Sequence, residues 1–461
     1  MANMGATGTQ GSATGGSSGL SPRQSIVVGI TLFSMFFGAG NLILPPLLGY
    51  QAGAESVPAM VGFLIAGIGL PVCGVVSCAL AGDLDQLGGR VHPLFATVFA
   101  VLIYLAIGPC LAIPRTSSTS FEMIVPLIAV ASGQEAAAID PGVLAMARGI
   151  FSVVFFVVAA VLALRPNKLT KLLGSVTGPL LIGLIVVVVV AAVAVPLGAP
   201  AAASAPYDVA PAVQGFETGY QTMDLLASLT FGIIIAQNIR QMGVLEDGPV
   251  AREVVKAGLF MGVLMALVYC GTAYVGTSLG AQAGRDIANG ATVLTLSASG
   301  HFGFAGTLVI AAIFLLACLN VCIGLLSCCG AFFSQLAPRV SYRVWVLGLA
   351  AFSCVVSNVG LDAILAFSVP LLSALYPVAI VLALMGVACS LVDRVPLVWP
   401  WVVGAAAVVS VASSLRDAFA PGAWLPIDAL PLAGMGFAWL VPALVAAAVG
   451  VAHSRLARRG K

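Results

Sequence analysis

The stretch 29-GITLFSMFFGAGNLILPPLLGYQAG-53 is long and apolar, yet it carries what an uninterrupted membrane helix avoids. Gly38, Gly40 and Asn41 fall in its middle, and Pro45-Pro46 follow one turn later. Proline removes a backbone donor and clashes with the preceding turn. Paired glycines weaken a helix further. In hydrocarbon every freed N–H and C=O must find a partner, so a broken helix persists where it lines a polar cavity or is buried in protein. In secondary transporters such breaks mark the substrate site. A proline-kinked packing helix gives the same local pattern, because Gly and Pro are common in membrane spans. This stretch alone leaves both readings open.

The rest of the chain decides the class. Its 461 residues are 60% hydrophobic and 8% charged, with mean hydropathy +1.11. A soluble domain carries about 25% charged residues. The apolar runs are continuous and about 20 residues long, unlike the alternating stretches of a membrane barrel. An all-α integral membrane protein is expected. The net charge of +2 and the lack of a dense basic cluster point away from nucleic acid. The ten cysteines all fall in apolar segments, without zinc-ligand spacing. They read as small packing residues rather than as disulfides or metal ligands. No phosphate-binding G-x-x-x-x-G-K-[ST] motif suggests a pump. His92, His301 and His453 sit at segment ends and no aspartates pair within a segment, which argues against a membrane enzyme. No pore ring or filter loop suggests a channel.

Residues 1–24 lack the composition of a core and read as a disordered tail, without the charged start of a signal peptide. Twelve transmembrane helices are expected, over residues 25–50, 57–80, 93–125, 148–164, 172–196, 220–242, 254–283, 302–334, 343–358, 362–390, 396–415 and 430–452. With both ends in the cytoplasm, fifteen of the nineteen Lys and Arg lie on the inner side, the basic tail 453–461 included. The positive-inside rule selects that orientation.

A second interruption appears in 215-GFETGYQTMDLLASLTFGIIIAQNIRQMG-243, where 228-SLTFG-232 sets polar residues and a glycine at mid-depth of the sixth segment. Five segments separate it from the first interruption. An odd number of spans per repeat inverts the second copy, so residues 25–196 and 220–390 form an inverted five-plus-five repeat, followed by two helices in 396–452. Paired broken helices in corresponding positions are the pattern of a transporter with a site at the membrane midplane.

The stretches 35-MFFGAGNLILPP-46, 107-IGPCLAIPRTSSTSFE-122, 219-GYQTMDLLASLTFG-232 and 368-SVPLLSALYP-377 resemble the bacterial branched-chain amino acid:cation symporters, the BrnQ-type carriers. The resemblance covers about residues 25–450. It implies a LeuT-type fold with broken helices 1 and 6, in the bacterial cytoplasmic membrane. It also implies uptake of leucine, isoleucine and valine coupled to a cation, usually sodium. An uncoupled facilitator, an exchanger or a proton-coupled carrier on the same fold stays open, and the oligomeric state is not legible.

Unwound backbone offers N–H groups to a carboxylate and carbonyls to an ammonium or a cation. Gly38, Ala39 and Gly40 are assigned to the first break, and Ser228, Leu229 and Phe231 to the second. Ala106, Ile107 and Phe231 are expected to wall an apolar pocket. Since one methylene discriminates by only about 1–3 kcal/mol, weak selection among the three amino acids is expected.

By the same resemblance, Asn41 in 38-GAGN-41 and Thr230 match sodium ligands. A second sodium would lie between carbonyls around Ser34 and Phe37 and the eighth segment. That segment, 317-ACLNVCIGLLSCCGAFF-333, departs from the family pattern: Asn320 and Val321 stand where one or two Thr are usual, and Ala331 where an acidic residue is. Asn320 still offers a carbonyl oxygen, Val321 cannot, and Ser327 is a compensating candidate. The coupling ion is therefore open between sodium and a proton. Arg115, Glu122 and Asp224 are costly at membrane depth and functional by default. Arg115 paired with Asp224 or Glu122 reads either as an outer gate or as a fixed brace for the third segment.

Overall fold

The protein is described from a computed structural model over residues 19–132, 139–165, 173–280, 287 and 289–459. The expected tail up to residue 18, and Lys168, Lys171, Arg285 and Lys461, lie outside the described residues. Regular structure within the described residues is helical.

The first segment is two helices, α1 (Pro22–Phe36) and α2 (Ala39–Ala52). Ser21 caps α1, with Gln24 completing the capping box and Pro22 in the first turn. Phe37 and Gly38 are extended and separate the two helices. Pro45 and Pro46, which the sequence pattern grouped with the interruption, lie inside α2 and do not end it. The second segment is α3 (Ser56–Leu64), a π-turn over Ile65–Gly69 and α4 (Leu70–Ala81). A short α5 (Leu84–Gly89) leads to α6 (Pro93–Leu105), a kink at Ala106–Cys110, α7 (Ala112–Glu122) and α8 (Val125–Ser132). The first half closes with α9 (Pro141–Ala163) and α10 (Gly178–Ala194).

The second half opens on another broken pair, α11 (Pro211–Tyr220) and α12 (Asp224–Gln241), bent by 45°. It continues with α13 (Asp247–Leu279), α14 (Gly290–Phe302), α15 (Phe304–Leu336), α16 (Tyr342–Ser357) and α17 (Leu361–Val387). A turn of helix, α18 (Cys389–Val392), precedes α19 (Val398–Phe419) and α20 (Leu440–Arg459). Among the described residues nine helical stretches are long and apolar enough to cross a membrane, or ten with α11–α12 taken as one span. One of the nine, Ala39–Ala81, contains the turn at Gly53–Glu55.

Two half-helices make close backbone contacts. The half-helix α2 packs on α13, and the half-helix α11 packs on α3. In the first pair a Cβ on Gly49 would lie 1.9 Å from the Ala273 carbonyl oxygen, and one on Gly276 2.0 Å from that of Pro46. In the second, a Cβ on Gly62 would lie 1.8 Å from the Ala212 oxygen, and one on Gly215 1.9 Å from that of Ala59. Each glycine therefore meets the carbonyl three residues before its partner glycine. Such contacts let helix backbones touch where lipid offers no hydrophobic drive. The motif is P-x-x-G at 46–49 and A-x-x-G at 59–62, 212–215 and 273–276.

Candidate functional site

Both breaks open on one small cavity, about 40 Å³. Gly38, Ala39, Gly40 and Asn41 line it from the first break, and Thr222, Met223 and Asp224 from the second. Met35, Phe36, Ile107, Ala112, Ala227, Phe231, Val321 and Leu325 supply a mostly apolar wall. The first hydrogen bond of α2 runs from Leu42 N–H to the Gly38 carbonyl. The N–H groups of Ala39, Gly40 and Asn41 precede it, the orphan donors of a helix start. They carry partial positive charge suited to a carboxylate. Gly38 is small because Val321 is close: a Cβ there would lie 2.8 Å from the valine Cγ2.

Asn41 ties three helices together at this point. Its Oδ1 accepts from Gly38 N–H at 3.2 Å. Its Nδ2 donates to Asp224 Oδ2 at 2.6 Å and to the Tyr269 hydroxyl. Tyr269 in turn donates to Asp224 Oδ2 at 3.1 Å. The amide orientation follows from its partners, because a flipped Asn41 would set oxygen against the carboxylate. Tyr269, on α13, is a site residue that the sequence pattern missed. Its replacement by Phe keeps the ring that packs edge-on against Phe63, with centroids 5.2 Å apart. It removes one donor to a buried carboxylate, worth about 1.5–3 kcal/mol. Thermal melting of purified Tyr269→Phe protein should show that loss, and an unchanged melting temperature would mean the hydroxyl bond is not formed.

The second break lies earlier than expected, at Gln221–Met223 rather than in 228-SLTFG-232. Met223 adopts a left-handed conformation, φ 67°, unusual for a residue with a Cβ. Ser228, Leu229, Thr230 and Phe231 sit within regular α12. Of these only Phe231 lines the cavity. Ser228 faces α4, where a Cβ on Gly74 would meet its Oγ at 1.9 Å. Thr230 bonds back to the Ala227 carbonyl at 2.8 Å and lines a different pocket, away from Asn41. Ala106 is buried outside the cavity wall, while Ile107 belongs to it. A third interruption was not anticipated: Gly108 is non-helical (φ −92°, ψ −125°) between α6 and α7. The Gly108-Pro109 pair is its signature in the sequence.

The charged residues separate. Glu122 pairs with Arg148 at 3.5 Å, not with Arg115. Arg115 and Asp224 are buried, 6% and 3% exposed, and both line the cavity. They form no ion pair with each other among the described residues. Arg115 Nη1 donates to the Gln221 carbonyl at 3.3 Å, and its Nε has no partner among the described residues. A Cβ on Gly40 would lie 2.6 Å from Arg115 Nη2.

Two further cavities flank the central one. One, about 350 Å³, is lined by Glu217, Tyr220, Gln221, Leu372, Phe437 and others, and shares Arg115 with the central cavity. The rings of Tyr220 and Tyr376 meet beside it at a 35° tilt, 4.6 Å between centroids. The other, about 40 Å³, is lined by Asp83, Asp85, Tyr104, Thr230, Cys328 and Phe332 among others, and shares no lining residue with the central one. Tyr104 stacks on Phe332 there at 3.9 Å. Arg115 thus stands between the central cavity and the Glu217 side.

On α15, Asn320 is 1% exposed and neither of its side-chain polar atoms has a partner among the described residues. Its neighbour Val321 packs on Gly38, and Gly324, one turn on, packs on Met35. Asn320 therefore stands at the level of the first break. Ser34 Oγ donates to the Leu173 carbonyl at 3.2 Å, and Phe37 is the residue that ends α1.

The family model described as branched-chain amino acid transport protein matches residues 21–457. The chain belongs to this family. Members of the family are transport proteins, not enzymes. The carrier protein of branched-chain amino acid transport system 2 from Pseudomonas aeruginosa is 38% identical, with 94% of this chain and 96% of that protein covered. The branched-chain amino acid permease BraB of Bacillus subtilis is 36% identical, covering 93% and 95%. The permease BrnQ of Escherichia coli K12 is 35% identical, covering 95% and 98%. Among solved structures, the nucleobase-cation-symport-1 family transporter Mhp1, closed with bromovinylhydantoin bound, superposes with a TM-score of 0.60. It is 12% identical, and the match covers 95% of this chain and 93% of Mhp1. A manganese transporter from Eremococcus coleocola gives 0.56 at 14% identity, covering 94% and 95%. The family member described here is a multi-pass membrane protein with the LeuT-type fold.

Proposed function

We propose that this transporter imports leucine, isoleucine and valine across the bacterial cytoplasmic membrane by alternating access, coupled to sodium. The observation that carries the reading is the apolar-walled cavity where two helix breaks meet. Its relatives are named for branched-chain amino acids. The cavity suits such a cargo: helix-start N–H groups for the carboxylate, and Ile107, Phe231 and Leu325 for the aliphatic side chain. The orientation with both termini in the cytoplasm rests on the Lys and Arg bias. The Glu217 side then faces outward, with Arg115 between it and the central cavity.

Sodium is a hard cation that takes oxygen ligands. Carbonyls around Ser34 and Phe37 and the orphaned Asn320 amide oxygen suit it. An unsatisfied buried polar group costs about 1–3 kcal/mol, and such strain at a functional position is retained for function. Asn320→Leu should therefore stabilise the sodium-free protein, raising its melting temperature, while abolishing the extra stabilisation that sodium gives the parent. If sodium still stabilises the variant as it does the parent, the ion does not bind there.

A buried carboxylate in the cavity, Asp224, favours a second reading with a proton as the coupling ion. Proteoliposome uptake of labelled leucine decides between them. A sodium gradient alone should drive accumulation. Accumulation under a proton gradient only transfers the coupling role to Asp224, and equilibration without accumulation removes coupling altogether.

A further inference from the structure

We propose that Arg115 and Asp224 are the charged contacts for the two ends of the transported amino acid, Arg115 for its carboxylate and Asp224 for its ammonium. This rests on the amino acid transport reading and deepens it. Backbone alone suffices on sequence grounds to hold a zwitterion. The structure instead puts one buried cation and one buried anion on the wall of the cavity.

The two charges are not each other's partners. Burying a charge is costly unless it is paired and hydrogen-bonded. Neither has an ion-pair partner among the described residues. Arg115 makes a single hydrogen bond, to the Gln221 carbonyl, and its Nε is left without a partner there. A guanidinium offers five donors in a fixed fork, so this one is far from satisfied. It lies against Gly40, in the first turn of α2, where the helix start already favours an anion. The carboxylate of a ligand would meet both. Asp224 takes hydrogen bonds from Asn41 and Tyr269, both to Oδ2. These hold the carboxylate in place without neutralising it. An ammonium would complete it.

A ligand carrying both charges, with no net charge, satisfies both residues at once. A ligand carrying only one leaves the other residue buried and unpaired. The site thus selects α-amino acids over amines and acids of the same carbon skeleton. A Cβ at position 40 would displace the guanidinium, so glycine there leaves Arg115 where it stands.

The test is equilibrium binding of labelled leucine to purified protein, with competition by two analogues. The first, 4-methylpentanoate, is leucine without its ammonium; the second, 3-methylbutylamine, is leucine without its carboxylate. In the parent protein each analogue should compete at least about 100-fold more weakly than leucine, the scale of a lost charged hydrogen bond. Arg115→Gln should weaken leucine about 100-fold and leave 3-methylbutylamine unchanged. Asp224→Asn should weaken leucine as much and leave 4-methylpentanoate unchanged. Gly40→Ala, whose methyl would lie 2.6 Å from Arg115 Nη2, should mimic Arg115→Gln about 10-fold more mildly. It decides the question if the charge variants do not fold. Variants with parent-like melting that weaken leucine and both analogues equally, or none of them, overturn the assignment and make the pair a brace. Parent protein that binds no leucine overturns the transport reading itself.

Discussion

Gly276→Leu should leave no folded transporter, as read by a monodisperse elution peak from detergent extracts. A Cβ at position 276 would lie 2.0 Å from the Pro46 carbonyl oxygen and 2.9 Å from the Tyr50 nitrogen. Both are backbone atoms of α2, so no side chain can rotate away to make room. Ordinary overpacking costs about 1–3 kcal/mol because neighbours adjust. Here α2 and α13 would have to part along their whole contact. That separation would carry away Asn41 and Tyr269, which hold the cavity together from these two helices. Gly215→Leu should fail in the same way at the contact of α3 with α11, against the Ala59 oxygen. Gly404→Leu is the control: nothing lies within 4 Å of its Cβ position, so leucine there should fold and transport normally. If Gly276→Leu eluted like the control, the close helix contact would be wrong.

How much of this was legible in the sequence depends on the range of the interactions. The first break could be read because it is written in local chemistry: Gly38 forms the extended link with Phe37, and Gly40 follows in the first turn of α2. The second was displaced by several residues for a physical reason. Ser228 and Thr230 suggest unwinding, but each hydroxyl bonds back to its own helix, to Leu225 at 2.6 Å and Ala227 at 2.8 Å. Such back-bonding satisfies a polar residue without breaking the helix. The actual break turns on Met223, a residue type that gives no hint of a left-handed backbone. Asp224, the first residue after that break, opens a half-helix at the cavity. Arg115, open in the sequence between an outer gate and a brace, reaches the same cavity on α7, beyond the kink at Gly108. Tyr269 had no local signal at all, because its role comes from helices that meet only in the fold. The A-x-x-G spacing does not stand out among so many Gly and Ala residues, and which copies face each other is a tertiary fact.

Asn41 gives the sharpest case, since sequence likeness and geometry assign it different work. Asn41→Leu removes the acceptor for Gly38 N–H and a donor to buried Asp224. Losing a hydrogen bond to a charged group and orphaning a buried N–H together cost about 3 kcal/mol or more. Leucine uptake should fall at least about 100-fold, with a melting temperature well below the parent's. Asn41→Asp separates the two assignments. The shape is kept and a carboxylate replaces the amide. As a sodium ligand, a carboxylate oxygen serves at least as well as an amide oxygen, so sodium affinity would hold or tighten. As the hub seen here, Asn41 must donate to Asp224, and an ionised carboxylate has no donor. Two like charges would then face each other in a low-dielectric site, where repulsion is strong. On this geometry Asn41→Asp should lose transport as completely as Asn41→Leu. Its sodium-dependent stabilisation should survive, because the ion site proposed at Asn320 is untouched. Tighter sodium binding with transport retained would return Asn41 to the ligand shell and require its side chain to leave Asp224 during the cycle.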